Sequence, residues 1–270
     1  MELGHYKLKK NCFLLRKIKV INILVFIFLF IGCSIVEQQK NDLMDMNLKG
    51  KVKSIRQIGY IATEKYGEIS KQKEAGEGGI FILFNYKGNK IGHSVYSAGG
   101  RLDWKYTYKY DDKGSKIEEN EYDSDGSFLG KTIYKYDEKG NMFEEDEYRA
   151  SGKRWAKWTY KYDDKGNKIE KASYYSSDDS PYSITTYKYD EKGNMTEENE
   201  YRQDGSLIEK TIYEYDDKRN LIEETCYSSS GISKLTNKYQ FDEKNNWIKK
   251  IQSLNEKPEF MYEREIEYYD

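Results

Sequence analysis

The segment Thr132-Ile-Tyr-Lys-Tyr-Asp-Glu-Lys-Gly-Asn141 is written again and again along this chain of 270 residues, and that repetition constrains the fold more than any single residue does. Close copies are Thr107-Tyr-Lys-Tyr-Asp-Asp-Lys-Gly-Ser115, Thr159-Tyr-Lys-Tyr-Asp-Asp-Lys-Gly-Asn167 and Thr186-Tyr-Lys-Tyr-Asp-Glu-Lys-Gly-Asn194. Weaker ones are Tyr213-Glu-Tyr-Asp-Asp-Lys-Arg-Asn220 and Tyr239-Gln-Phe-Asp-Glu-Lys-Asn-Asn246. The aspartates fall at 111, 137, 163, 190, 216 and 242, a period of 26 with a single step of 27, and Asn85 holds the same slot one step upstream. An array of this kind grows by addition, each unit resting on its neighbours.

Within a unit the first strand is plain. Trp104, Tyr106, Tyr108 and Tyr110 share one parity, while Lys105, Thr107 and Lys109 share the other. Alternation of period two with aromatic and β-branched residues predicts a half-buried strand, and helical spacing fails the same test. The turn that follows, Asp-(Asp/Glu)-Lys-Gly-Asn, puts aspartate first and glycine fourth, the chemistry of a type I turn closed by a left-handed residue. Asn245 can replace that glycine. Arg219 is strained there by roughly 1 kcal/mol, which predicts a looser turn. The second strand admits two readings. Ile117, Phe143, Ile169, Ile222 and Ile248 are out of phase with Met142, Leu221 and Trp247, and with Tyr122, Tyr148, Tyr201 and Tyr227. Either both faces are partly covered, or a β-bulge switches the phase. Second turns such as Asp123-Ser-Asp-Gly-Ser127 reverse the chain again.

The expected fold is therefore all-β: an antiparallel meander of about a dozen strands, in 26-residue two-strand repeats, forming an extended, twisted or curled sheet. Residues 84–247 are the array. Residues 48–83 supply capping strands, with one irregularity near Val52, a long connection over 64–79, and the apolar run Ile80-Phe-Ile-Leu-Phe84 starting the stack. Residues 248–270 close it, Phe260, Tyr262, Ile266 and Tyr268 alternating.

The N-terminus is different in kind. Lys7, Lys9, Lys10, Arg16, Lys17 and Lys19 precede the apolar run Val20-Ile31 and then Gly32-Cys33. This is the layout of a secretory signal peptide over residues 1–32, with an apolar segment short of the roughly 20 residues a spanning helix needs. The ending Leu29-Phe-Ile-Gly-Cys33 resembles a bacterial lipobox, with Phe30 where leucine is usual. That resemblance implies lipidation of Cys33, a membrane partner through the N-terminal lipid, and an envelope address, the outer membrane if the cell is Gram-negative. Residues 33–47 then read as lipidated cysteine and flexible tether. Of the other cysteines, Cys12 lies in the signal and Cys226 is left without a partner. Removing residues 1–32, with six Lys/Arg and one Glu, leaves 39 basic residues against 46 acidic ones. No basic stripe remains for nucleic acid.

The unit Tyr108-Lys-Tyr-Asp-Asp-Lys-Gly and its copies resemble the YD repeat of the Rhs family, over residues 84–247. The start Leu48-Lys-Gly-Lys-Val-Lys-Ser54 and the end Glu263-Arg-Glu-Ile-Glu-Tyr-Tyr269 resemble small bacterial lipoproteins of that class. In large Rhs proteins such repeats build β-rich shells around a toxin domain, a role these few repeats do not support.

Catalytic chemistry finds little purchase. His5 lies in the signal, so any histidine-based machinery would need His93, and one histidine with one thiol is too few for zinc. Glu118/Glu119, Glu144/Glu145, Glu197/Glu198 and Glu223/Glu224 recur at one phase, as a solvated face does. No cofactor or metal is expected, and no enzymatic activity. The tyrosine ladder, Tyr108, Tyr110, Tyr134, Tyr136, Tyr160, Tyr162, Tyr187, Tyr189, Tyr213 and Tyr215, is the candidate ligand face. Its plainer reading is structural, with cross-strand rings holding the sheet and hydroxyls pointing away. The function expected is non-catalytic, a binding or structural role with a protein or glycan partner. Toxin masking by an immunity-like protein and glycan binding on the tyrosine face are the alternatives.

Overall fold

The structure, a computed structural model, describes residues 41–72, 78–175 and 180–270. Among these, one short helix, α1 (Asp42–Asp45), precedes seventeen strands. They are β1 (Val52–Lys65), β2 (Glu68–Lys71), β3 (Gly79–Phe84), β4 (Lys90–Tyr96), β5 (Leu102–Tyr110) and β6 (Lys116–Asp123). Next come β7 (Phe128–Tyr136), β8 (Met142–Arg149), β9 (Arg154–Tyr162), β10 (Lys168–Tyr175), β11 (Ser183–Tyr189) and β12 (Met195–Arg202). The last are β13 (Leu207–Tyr215), β14 (Leu221–Ser228), β15 (Gly231–Phe241), β16 (Trp247–Leu254) and β17 (Lys257–Tyr268). The sheet is antiparallel throughout, as the repeat predicts.

It is not open. From β3 to β17 each strand pairs with its neighbours in sequence, and β1 pairs with both ends of that run. On one side β1 matches β17 from Val52↔Tyr268 to Ile61↔Phe260; on the other it matches β3 from Ser54↔Leu83 to Ile58↔Gly79. Sixteen strands thus close into a barrel, while β2 pairs only with the overhanging end of β1, Ala62↔Lys71 to Lys65↔Glu68. The extended or curled sheet of the sequence reading is corrected to a closed one. The physical reason is the edge: an open meander leaves two rows of unpaired backbone groups, and closure satisfies both. The segments read as caps, residues 48–83 and 248–270, are instead the seam.

The phase of the second strand is settled by a β-bulge after each first turn. Lys109 pairs with Glu118 but Tyr110 with Lys116, and the same shift recurs at Lys135/Tyr136, Lys188/Tyr189 and Glu214/Tyr215. Ile117, Phe143 and Ile169 sit in the extra positions and are exposed. Met142 and Leu221 therefore share the face of the tyrosine ladder, whereas Tyr122 and Tyr148 turn to the other. The turns themselves are built as the sequence predicts. Asp137 Oδ1 accepts from the Lys139 and Asn141 amides at 2.9 and 2.8 Å, and Asn141 donates its side-chain amide to Asp137 Oδ2 at 3.0 Å. The Arg219 turn is not looser: at φ 67° its amide still reaches the Asp216 carbonyl at 3.1 Å, and its Nε donates to Asn194 Oδ1 of the preceding unit's turn at 2.8 Å.

One stretch assigned to the tether belongs to the fold. Asn41 caps α1, its Oδ1 accepting from the Met44 amide at 3.1 Å, and its Nδ2 donates to the Lys87 carbonyl at 2.8 Å. At the other end, Asn47 donates to the Arg219 carbonyl at 3.3 Å, and the Lys49 amide donates to Asn246 Oδ1 at 2.7 Å. One short strap thus touches turns on opposite flanks of the seam. That is a chord across the inside of the barrel mouth, since a path over the convex outside would have to be far longer. Leu43 and Leu48 pin it to Val52, Ile55, Ile82 and Phe84, a core of apolar side chains that keeps residues 41–48 from being a free linker. Gly88 permits the approach: at φ 86° it takes a conformation that favours glycine, and a Cβ there would lie 2.8 Å from Asn41 Nδ2.

The strap fixes which face is inside. Tyr110 donates to Asp42 Oδ2 at 2.7 Å, so the ladder tyrosines face the lumen. The opposite face carries ion pairs beside the first turns, Lys109–Glu118 at 2.5 Å, Lys161–Glu170 at 2.7 Å, Lys188–Glu197 at 2.7 Å and Lys135 with both Glu144 and Asp146, and others nearer mid-strand, Lys157–Glu144 at 2.8 Å and Lys210–Glu197 at 3.0 Å. Hydrogen bonds from Asn199, Lys188 and Lys210 hold Glu197 at a pKa of about 2.

Asn246 tests the strap. It is 1% exposed, and its Nδ2 also donates to the Lys49 carbonyl at 2.8 Å and to the Tyr268 hydroxyl at 2.7 Å. Asn246→Ala leaves these buried groups unpaired and should cost about 2–4 kcal/mol in urea denaturation. Asn141→Ala, at the half-buried equivalent, should cost about 1 kcal/mol or less. Equal costs would show that the strap does not brace the seam.

Candidate functional site

The candidate site is the lumen beneath the strap, a cavity of about 550 Å3 bounded by α1 and the strands from β5 to β10. Its size is that of a small-molecule chamber. Each unit delivers its side chains there by the same route: the turn fixes the strand end, and the bulge rotates the returning strand so that its first and fourth residues face inward.

Two hydrogen-bond ladders result. In four units the tyrosine before the turn aspartate donates to the carbonyl that opens the previous unit's second strand. Tyr136 reaches the Lys116 carbonyl, Tyr162 that of Met142 and Tyr189 that of Lys168, each at 2.8 Å, while Tyr110 shares its one proton between Asp42 and the Lys90 carbonyl, also at 2.8 Å. Backbone pairing between those strands has ended by this height, Glu118↔Ile133 being the last pair of β6 with β7. The phenol replaces the missing ladder bond. In the last unit Phe241 has no hydroxyl, and Tyr239 takes the Leu221 carbonyl instead, also at 2.8 Å.

The second ladder runs from the other tyrosine to a lumenal carboxylate: Tyr134 to Glu119 at 3.3 Å, Tyr160 to Glu145 at 2.6 Å, Tyr213 to Glu198 at 3.1 Å. Burial pushes the phenols of Tyr108, Tyr134, Tyr136, Tyr160, Tyr187 and Tyr213 well above their ordinary range, and Tyr162 up to about 12. They remain protonated donors.

All ten ladder tyrosines named from the sequence lie on the lumenal face. Tyr110, Tyr134, Tyr136, Tyr160 and Tyr162 line the cavity; Tyr108, Tyr187, Tyr189, Tyr213 and Tyr215 continue the face beyond it. The hydroxyls do not point idly away, as the plainer reading expected: most are spent on the scaffold. Sequence reasoning missed the cations and carboxylates among them. Lys116 sits between the Tyr108 and Tyr134 rings, 5.5 and 4.5 Å from their centroids, and pairs with Glu119 at 3.1 Å. Lys168 sits between the Tyr160 and Tyr187 rings at 5.0 and 5.1 Å, and burial lowers its pKa. The signal was in the sequence only once the bulge was known, because the bulge decides that Lys168 and Glu145 face in.

Elsewhere on the same face His93 stacks on Tyr106, 5.3 Å between centroids, and burial lowers its pKa. Cys226 is a free thiol whose pKa burial raises. Cys33 lies outside the described residues.

No protein-family model matches the chain, and no curated protein sequence does. Among solved structures it is similar to a porin-like protein from Bacteroides uniformis, at 12% identity and a TM-score of 0.54 over 81% of this chain and 98% of that one. A shared barrel fold is what that likeness shows. A porin-like protein from Bacteroides vulgatus aligns over the same shares at a TM-score of 0.35. The Photorhabdus luminescens Tc holotoxin pore aligns at 13% identity and a TM-score of 0.30, this chain spanning 14% of that one.

Tyrosines that clasp and tyrosines that do not should separate in stability. Tyr136→Phe removes the bond to the Lys116 carbonyl and should cost about 1 kcal/mol. Tyr187→Phe should cost nearly nothing, because among the described residues its hydroxyl meets only Thr185 of its own strand. Urea midpoints decide between them, and equal midpoints would remove the clasp from this account.

Proposed function

We propose that the protein is a non-catalytic binding barrel of the bacterial cell envelope, lipid-anchored at Cys33, that stands in water and receives a saccharide in its lumen. The observation that carries this reading is the partition of its two faces. A barrel that spans a bilayer turns an apolar band about 25 Å tall to the lipid. This one turns ion pairs outward from the turn end down to mid-strand: Lys109–Glu118, Lys161–Glu170 and Lys188–Glu197 beside the first turns, Lys157–Glu144 and Lys210–Glu197 nearer the middle. A lysine such as Lys157 or Lys210 near the midplane of hydrocarbon would cost about 2–4 kcal/mol. The inward face carries recognition chemistry instead: phenol rings, amides and charged groups around a chamber of about 550 Å3. Aromatic faces ringed by hydrogen-bonding groups suit a sugar, which is apolar on its ring face and polar at its edge.

The anchor and the barrel are separable by one substitution. In the wild type, membrane association should follow the lipid on Cys33. Cys33→Ala should abolish the lipid mass and move the protein to the soluble fraction after alkaline washing. Retention of Cys33→Ala in washed membranes would mean that the barrel itself holds the bilayer, and the reading would be withdrawn.

A further inference from the structure

In a repeat array, whatever the scaffold needs recurs with the period, so a ligand site shows itself where the period is broken. The lumenal position opposite each unit's first tyrosine is Glu119 on β6, Glu145 on β8, Glu198 on β12 and Glu224 on β14. On β10 that position, paired with Tyr160, is Lys171. The exchange removes the carboxylate that would neutralise Lys168, as Glu119 neutralises Lys116 at 3.1 Å. It also removes the acceptor that Tyr187 would otherwise use. Lys250 makes the same exchange in the seam strand β16, where it lies against the Tyr262 ring at 4.5 Å with Arg264 nearby. Lys168, by contrast, lines the chamber.

We infer that Lys168 and Lys171, with the rings of Tyr160, Tyr187 and Trp158, form a subsite for the carboxylate of an acidic sugar. Lys168 Nζ lies 5.0 and 5.1 Å from the Tyr160 and Tyr187 centroids, and Lys171 Nζ lies 5.5 Å from that of Trp158. Neither lysine forms an ion pair with a carboxylate among the described residues. The carboxylates that act on Lys168 are Glu198 and Glu145, and tyrosine hydroxyls already occupy both: Tyr213 on Glu198 at 3.1 Å, Tyr160 on Glu145 at 2.6 Å. Asp42 and Asp45 line the opposite wall of the chamber, and Asp42 is held by Tyr110 and by the Lys90 amide at 2.8 Å. The chamber therefore has an acidic wall under the strap and a cationic wall at β10. A ligand with an anionic group at one end of a hydroxylated ring matches that polarity. Two ammonium groups partly removed from water and without a direct ion pair among the described residues gain from a carboxylate what a neutral sugar cannot give.

This inference rests on the saccharide reading of the lumen, and one experiment separates the two. The full chain, purified in detergent, is titrated by calorimetry with a disaccharide ending in glucuronate, with its neutral glucose counterpart, and with sodium acetate. The acidic disaccharide should bind at least tenfold more tightly than the neutral one, and acetate far more weakly than either. Lys171→Glu restores the residue the other units carry, so it should melt at or above the wild-type temperature while losing at least tenfold in affinity for the acidic sugar alone. Lys168→Met should lose the same preference.

Equal affinity for acidic and neutral disaccharides, or an unchanged Lys171→Glu, overturns the subsite and leaves the saccharide chamber standing. Acetate binding as tightly as the acidic sugar overturns it too, since a bare anion would then suffice. Failure of the folded wild type to bind either disaccharide overturns the chamber reading itself, and the subsite with it.

Discussion

Everything in this molecule depends on the double pairing of β1. A meander of hairpins makes all its contacts between neighbours in sequence and leaves one free edge at each end. Here one strand satisfies both edges, meeting β17 along Val52–Ile61 and β3 along Ser54–Ile58. The first of these pairings joins residues about 200 positions apart, so its loop-closure entropy must be met by something stronger than one ladder of backbone bonds. The strap meets it. Val52 and Ile55, both fully buried, lie under Leu43 and Leu48, and Asn246 ties the strap's end to Tyr268 on β17. The apolar core is small and sits where the ring would otherwise come apart.

Much of this was legible from the sequence, and the missing parts share a cause. Strand alternation, both turns, the irregularity near Val52 and the antiparallel class are local properties, and a 26-residue unit states them six times over. Closure is not local. It depends on the twist and register that accumulate over many hairpins, which no single unit records. The runs read as caps carried the right clue, since Ile80–Phe84 is apolar at consecutive positions and Ile82 and Phe84 are nearly inaccessible. A capping strand and a seam strand look alike in sequence, because both need one well-buried face.

The bulge explains why the lumen could not be read in advance. One inserted residue reverses the parity of everything after it, so Ile117 and Glu118 face outward while Lys116 and Glu119 face inward. Alternation alone put Tyr122 with Met142 and hid the fact that β6, β8 and β12 send a glutamate toward the next unit's tyrosine. With the phase known, the pairs Glu118/Glu119 and Glu144/Glu145 cease to be one solvated face. The first member of each meets a lysine outside, and the second meets a phenol inside.

That division also accounts for a composition in which 34% of residues are charged and the hydrophobic set is 37%. A packed globule has one interior and must fill it with aliphatic side chains. A barrel this wide has an inner wall that stays largely polar, so tyrosine, lysine and glutamate can serve on both walls. The scaffold then needs hydroxyl clasps at a fixed period rather than a deep core. A position that breaks the period without weakening the clasps is free to specialise. Lys171 meets that condition, since the Tyr162 and Tyr189 clasps on either side of it both remain at 2.8 Å.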